Sequence, residues 1–400
     1  MHTFEQLRRG ELQGARHLKL AADLTTFPEE IYSLADSLEV LDLSDNQLTD
    51  LPDDLDRFSQ LKILFASNNN FRHIPESVGR CRHLSMIGFK HNQIETVSET
   101  CLPAQTRWLI LTDNNIQTLP DNFGRLGQME KLALAGNRLS SLPDSMVDMH
   151  QLGLLRIAAN QLEAFPDCLL TLPKLAWLAF SGNPFCPQRN EHADFQQVDS
   201  DDLELQKLLG RGASGLIYKA AWQSSSLIEA FGQEDVAVKL FRGEVTTDGY
   251  PEDETDACLS VGSHPNLVTA LARMQEPEQD GLVMKLIPDQ YINLGQPPSL
   301  ESCTRDVFTH GQSFTREQVQ FMVEQMTSLL EHFEAAEVSH GDLYAHNVLI
   351  APDGHVLFGD FGAASRYSNL TAEQKQGVRR IERRALAYFK DDLEGLIDRV

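Results

Sequence analysis

Residues 339–362 read SHGDLYAHNVLIAPDGHVLFGDFG. Within this span Asp342, Asn347 and Asp360 put two carboxylates and an amide oxygen into a short, turn-rich stretch. Such groups can orient a nucleophile's proton or meet a hard cation. Earlier in the chain Lys239 is the one basic charge inside the apolar run EDVAVKLF. A lone lysine in such a strand ordinarily snorkels to solvent, yet an acidic segment, YPEDETDACLSVGSHPNLV, follows closely and offers Glu254, or one turn away Glu252, as a partner. Before it, LGRGASGLIYKA spaces Gly210, Gly212 and Gly215 as G-x-G-x-x-G. Taken alone, that spacing is shared with dinucleotide-binding turns, and two aspartates in turns are common.

The elements around these residues separate the cases. From Leu203 the pattern is strand, glycine-rich turn, strand (GLIYKAAW), then a further strand carrying Lys239, and no helix follows the glycines as a dinucleotide fold requires. The ordered set of Gly loop, V-A-V-K, helix Glu ahead of H-P-N-L-V, H-G-D-L-x-x-x-N and D-F-G resembles the eukaryotic-like protein kinase family over most of 204–400. The resemblance implies a compact bilobal domain that uses ATP and Mg²⁺. It assigns Asp342 to orienting the attacking hydroxyl and Lys239, paired with Glu254, to the α/β phosphates. Nucleotide contacts are expected at Gly210, Gly212, Ala213, Ser214, Gly215, Ile217, Ala237, Lys239 and Leu286, with Asn347 and Asp360 as metal ligands. His340 is expected to pack beneath the loop, and Phe361 behind the helix.

Two positions depart from that family's pattern. Gly341 stands where many protein kinases carry Arg, and Tyr344 where Ser/Thr kinases carry Lys; His346 is a candidate stand-in. The tail is short: 38 residues follow Gly362 without an A-P-E motif, and they read as one or two helices. Glu382 is either a brace for the catalytic loop or a surface charge. These departures keep two alternatives open, a nucleotide-binding scaffold without transfer and a small-molecule kinase.

The first half is periodic. Asn46, Asn69, Asn92, Asn114, Asn137, Asn160 and Asn183 recur at 22–23 residues within segments such as LEVLDLSDNQL and MEKLALAGNRL, and Asp23 marks a degenerate first repeat. Apolar-Pro steps follow most of them. The pattern resembles the leucine-rich repeat family, about eight repeats, and the whole chain is similar to bacterial leucine-rich-repeat-containing protein kinases. One repeat cannot bury its leucines alone, but a stack can. The expected architecture is mixed α/β and α+β: a repeat solenoid over 1–190, a linker at 191–203, and the kinase-like domain over 204–400. Residues five and three before each Asn should point inward, and those six and four before it should line the concave face. That face then carries Val40, Ile63, Phe65, Met86, Trp108, Ile110, Leu154 and Trp177, an apolar stripe suited to a protein partner with Trp108 and Trp177 as anchors, unless neighbouring strands or the second domain already cover it.

Composition sets the remaining bounds. A formal net charge of −24 argues against a partner held through nucleic-acid phosphates. No apolar run is long enough for a membrane span. Six scattered cysteines without ligand-like spacing suggest reduced thiols and a cytoplasmic location.

Overall fold

The computed structural model describes residues 2–192, 194–212, 214–242, 245–275 and 280–398. Contacts divide the chain into two units: residues 1–175 with 183–185, and residues 176–182 with 186–400. The boundary expected near residue 190 thus falls earlier, and the strand of the last repeat counts with the second unit.

In the first unit a short helix α1 (Phe4–Arg8), closed by a Thr3–Gln6 capping box, precedes seven three-residue strands. These are β1 (His17–Lys19), β2 (Val40–Asp42), β3 (Ile63–Phe65), β4 (Met86–Gly88), β5 (Trp108–Ile110), β6 (Lys131–Ala133) and β7 (Leu154–Arg156). They pair in chain order, all parallel, with Val40, Ile63, Met86, Trp108, Lys131 and Leu154 in one transverse row. Because side chains alternate along a strand, the central residues Leu41, Leu64, Ile87, Leu109, Leu132 and Leu155 all face the core and are buried. The return path holds 3-10 turns or the short helix α2 (Glu76–Gly79), with Pro28, Pro75, Pro143 and Pro166 at the residue before the turn. Proline's fixed φ ends the extended segment there without spending an N–H.

The recurrent asparagines form a ladder inside the coil. Asn137 is typical: its Nδ2 donates to Leu111 O (2.9 Å) and Leu134 O (2.9 Å), while its Oδ1 accepts from Ile116 N (3.0 Å). The residue before each ladder position is left-handed: Asp45, Asn68, His91, Asp113, Gly136, Ala159 and Gly182. Asp23 also has φ +51°. The pairing of His17 with Val40 nevertheless keeps the 23-residue offset that sets Asp23 level with Asn46. All of these left-handed residues but Ala159 are Asp, Asn, His or Gly, the residues that tolerate this region, a signal that the repeat count alone did not use.

The second unit opens with β8 (Trp177–Ala179). Within the expected linker, β9 (Gln197–Val198) pairs in parallel with a strand of the following sheet. That sheet comprises β10 (Leu203–Arg211), β11 (Gly215–Trp222), β12 (Asp235–Phe241), β13 (Ala270–Gln275) and β14 (Asp280–Lys285), in the order β10-β11-β12-β14-β13-β9. One face buries Ala220, Trp222, Val236, Val238 and Val283, with helix α3 (Ser225–Phe231) packed against it through Phe231 stacked on Trp222. Helix α4 (Pro251–Val261) follows β12.

The larger part of this unit rests on two helices. Helix α5 (Arg316–Ala335) starts at a Thr315–Gln318 capping box and buries Val319, Met322, Met326, Leu329, Leu330 and Phe333, the three-to-four spacing of one helical face. Small strands β15 (Ile292–Asn293), β16 (Val338–Ser339), β17 (Val348–Ile350), β18 (Val356–Phe358) and β19 (Ser365–Arg366) form a three-stranded sheet, β15-β17-β18, and a β16-β19 pair. The tail is a single helix α6 (Ala372–Glu394), capped by Thr371 and Gln374. Among the described residues no helix is long and apolar enough to cross a membrane.

Candidate active site

Antiparallel register places Gly210, Ile217, Lys239 and Leu282 in one row across β10, β11, β12 and β14, with Ala237 two residues from Lys239 along β12. Residues directly opposite one another share a sheet face, so Ile217, Ala237 and Lys239 lie together, and half-buried Leu286 follows the end of β14. An added Cβ would meet open space at Gly210 and essentially open space at Gly212, but would strike Leu240 O at 2.2 Å at Gly215. Gly215 is thus required by strand packing, while Gly210 and Gly212 leave room above the sheet. Ala213 lies outside the described residues. Ser214 is buried.

Lys239 is only 6% exposed and Glu254 4%. Instead of snorkelling, the ammonium donates to Glu254 Oε1 and lies 3.5 Å from Asp360 Oδ1. Glu252, the other helix candidate, is exposed. Burial alone would lower Lys239, but Glu254 and Asp360 outweigh it and hold its pKa above the ordinary 10.5. Loss of solvent raises Glu254, with the nearby Asp360 charge adding to the effect against the pull of Lys239. For Asp360 loss of solvent would raise the pKa, yet Lys239 and His340 more than offset it, so the value is lowered; the side chain remains 55% exposed. An ionised, solvent-reaching carboxylate results.

The loop from His340 to Asn347 is held from three sides. Asn347 Nδ2 donates to Asp342 Oδ2 (2.9 Å) and Asp342 O (3.0 Å), which leaves Oδ1 as the acceptor end of the amide. Asn347 Oδ1 and the Asp360 carboxylate are hard oxygen donors that fit Mg²⁺, an ion that keeps several waters and takes few protein ligands. Among the described residues no group of three or more His, Cys, Asp or Glu side chains forms a metal cluster. His340 packs among Phe358, Phe361 and Phe333, with Nε2 3.1 Å from Gly359 O. Beneath it, Glu382 of α6 is 3% exposed and accepts from His340 N (2.9 Å) and Gly341 N (3.0 Å). Of the two readings of Glu382, the brace is what the structure contains. Burial raises its pKa, although both N–H donors pull the other way.

Both departures from the kinase pattern have a local cause. Gly341 has φ +72°, and a Cβ would meet Ala363 O and Leu178 O, each at 2.7 Å. No arginine fits there. Tyr344 is buried, its ring 4.4 Å from that of Trp177 and nearly parallel, and Trp177 Nε1 donates to Leu343 O (3.0 Å). His346 Nδ1 lies 2.7 Å from Asp306 Oδ1, and its backbone N–H donates to Asp306 Oδ2 (3.0 Å); Nε2 is the ring nitrogen left for other work.

Trp177, expected as a partner anchor, is instead 2% exposed and enclosed by Tyr344 and Tyr388. Its position in the repeat pattern carried no sign of this, because the contact spans more than 160 residues. Elsewhere in the apolar stripe Ile63, Met86 and Leu154 are buried, and Val40, Phe65, Trp108 and Ile110 are half-buried. Adjacent parallel strands stand about 4.8 Å apart, so each side chain is flanked by its row neighbours; Lys131 Nζ lies 4.3 Å over the Trp108 ring.

The family model described as protein tyrosine and serine/threonine kinase matches residues 203–389. Leucine-rich-repeat models match residues 104–162 and 37–58. Similar proteins include the tyrosine-protein kinase Src64B of Drosophila melanogaster, 27% identical over 47% of this chain and 31% of its own length. The serine/threonine-protein kinase AtPK1/AtPK6 of Arabidopsis thaliana is 24% identical over 44% of this chain and 34% of its own. Cyclin-dependent kinase 11.1 of Caenorhabditis elegans is 23% identical over 42% of this chain and 22% of its own. The matches span about a third or less of these relatives. Among solved structures, a leucine-rich-repeat protein of Leptospira interrogans is 27% identical, covering 45% of this chain and 51% of its own, with a TM-score of 0.36. The chain carries leucine-rich repeats followed by a protein kinase domain.

Proposed function

We propose that the chain is an ATP- and Mg²⁺-dependent protein kinase acting on serine and threonine hydroxyls, whose repeats select a protein partner. The observation that carries this reading is the buried Lys239 ammonium joined to both Glu254 and Asp360. That arrangement sets a fixed positive charge beside the open glycine turn, where a triphosphate needs it. In the reaction, the acceptor hydroxyl oxygen attacks the γ-phosphorus of ATP. The bond from that phosphorus to the β–γ bridging oxygen breaks, ADP leaves, and the hydroxyl proton passes by way of the Asp342 carboxylate to solvent. Asn347 supports Asp342 in the orientation that this requires. Asn347 and Asp360 would hold Mg²⁺, which when bound supplies positive charge to the phosphates. The serine/threonine preference rests on the family resemblance alone.

The scaffold alternative drew on Gly341 and Tyr344. Close packing accounts for both residues without any loss of Lys239, Asp342, Asn347 or Asp360, which favours a working site. On the repeat side, half-buried Trp108, Phe65, Val40 and Ile110 are the part of the stripe proposed to meet the partner. A cytoplasmic location belongs to the same proposal and is supported by buried Cys81, Cys101 and Cys258.

The test is transfer of γ-labelled phosphate by the full chain with Mg²⁺ to serine, threonine and tyrosine peptides, beside Asp342→Ala. Label on Ser/Thr peptides that is lost in the variant is the expected result. Nucleotide binding without label would point to the scaffold, turnover of an amino alcohol alone to a small-molecule kinase, and label on tyrosine alone would overturn the stated preference.

A further inference from the structure

Helix α4 must hold Glu254 against Lys239, yet its sequence gives it little with which to dock. PEDETDACLSV carries four acids in its first two turns. Burying several carboxylates side by side is costly unless each finds a cation. Each buried one does, and from a different element. Glu254 takes Lys239 of β12. Asp253 takes Arg189, Nε to Oδ1 at 2.5 Å. Asp256 takes Arg366 of β19 at 2.8 Å and also lies 2.7 Å from His192 Nε2, and it accepts from Asn190 N (3.1 Å). Glu252, without such a place, is exposed.

Arg189, Asn190 and His192 come from one short strap that also accepts through Gln188 O from Arg366 (3.0 Å). Arg189 further lies 5.5 Å over the ring of Tyr250, the residue just before α4. At the start of the unit, Gly182 approaches the same helix so closely that a Cβ would meet Asp253 Oδ2 at 2.6 Å and Tyr250 Cδ2 at 2.9 Å. Arg366 stands four residues after Gly362, so Asp256 ties together the strap, the helix of Glu254 and the strand that follows Asp360.

We infer that the strap 188–192, anchored on Asp253 and Asp256, is a built-in positioning element of the phosphotransfer site, holding α4 so that Glu254 stays on Lys239. Its residues touch neither nucleotide nor acceptor; they act through Glu254. The inference rests on the kinase reading for its effect on turnover, but not for its effect on the helix.

The test uses the full chain with Arg189→Ala and His192→Ala combined, and a conservative pair, Arg189→Lys with His192→Gln. Phosphate transfer and amide hydrogen exchange across 251–261 are read together, with thermal melting as a check on folding. Expected for the alanine pair are a tenfold or greater fall in kcat, a KM for the acceptor peptide within twofold of wild type, and exchange in α4 about tenfold faster. The conservative pair should return both readouts to within threefold. Values of kcat and α4 exchange within twofold of wild type in the alanine pair would overturn the inference. Should the wild type bind ATP but transfer nothing, the kinase reading falls, and exchange across 251–261 alone decides: faster exchange supports the strap, unchanged exchange rejects it. If the alanine pair does not fold, the conservative pair and single Arg189→Ala carry the same comparison.

Discussion

In the asparagine ladder, each buried amide is satisfied by backbone groups from its own turn or the adjacent one. Asn137 reaches Leu134 three residues away and Leu111 one repeat away. Around the candidate active-site loop, by contrast, the His340 and Gly341 N–H groups are met by Glu382 on α6, 41–42 residues later, and Lys239 of β12 meets Asp360 across 121 residues. Both regions bury polar groups and satisfy them, as a low-dielectric interior demands. The ladder does so with a neutral group and a local rule repeated along the chain. The loop does so with charges assembled from distant elements. A ladder defect should therefore cost stability in one region, whereas removing a buried charge such as Lys239 should cost stability and function together.

The largest expected effect separates charge from chemistry. Lys239→Ala leaves Glu254 buried without its cation and should destabilise by about 3–5 kcal/mol while abolishing transfer. Asp342→Ala, on a half-exposed loop position, should lose about 10³-fold in kcat with little change in melting. Equal melting losses in the two variants would break the comparison. Next, Asn137→Ala strands the Ile116 N–H, while the Leu111 and Leu134 carbonyls keep Asn114 and Asn160 as donors, so the cost should be about 1–3 kcal/mol, with transfer unchanged at temperatures where the chain stays folded. Since Asn114 shares the Leu111 carbonyl with Asn137, the double alanine variant should show a non-additivity of roughly 0.5 kcal/mol or more in a denaturation cycle.

Glu382 sharpens the contrast through pH. Its folded pKa is raised above the ordinary 4.5, so the folded state binds the extra proton. Its contribution is fully present below 4.5 and is lost as pH rises through the folded value. Wild type should therefore lose stability relative to Glu382→Gln across that window. A pH-independent difference would show that the buried carboxylate is not the titrating group. Asn137→Asp has no place in this test, because the ladder titrates nothing in the wild type. The smallest effect is expected for Glu252→Ala, within about 0.5 kcal/mol and with normal kcat, two residues from Glu254, whose own removal should cripple transfer.

Much of this was legible without coordinates. Leucine, or at Ile87 isoleucine, five residues before each Asn announced the inward row, and five ordered motifs placed Lys239, Glu254, Asp342, Asn347 and Asp360. The same sequence left Glu252 and Glu254 as rivals because a helix register cannot be read to better than a turn from an acidic run. It offered Trp177 as an exposed anchor because the repeat period says which face a residue takes, not what lies on that face. Glu382 stood undecided for a similar reason, its partners being backbone N–H groups that have no letter in the sequence.

By itself, then, the sequence determined what is periodic or local: the repeat length, the ladder, the strands around the glycine turn. Those follow from backbone geometry and side-chain type within a turn or a repeat. Only the tertiary structure decided which acid of α4 meets Lys239, why position 341 admits no side chain, and that Trp177 closes on Tyr344. Each of these depends on two segments far apart in sequence occupying one small volume, where a carbonyl at 2.7 Å or a cation across a cleft outweighs any local preference.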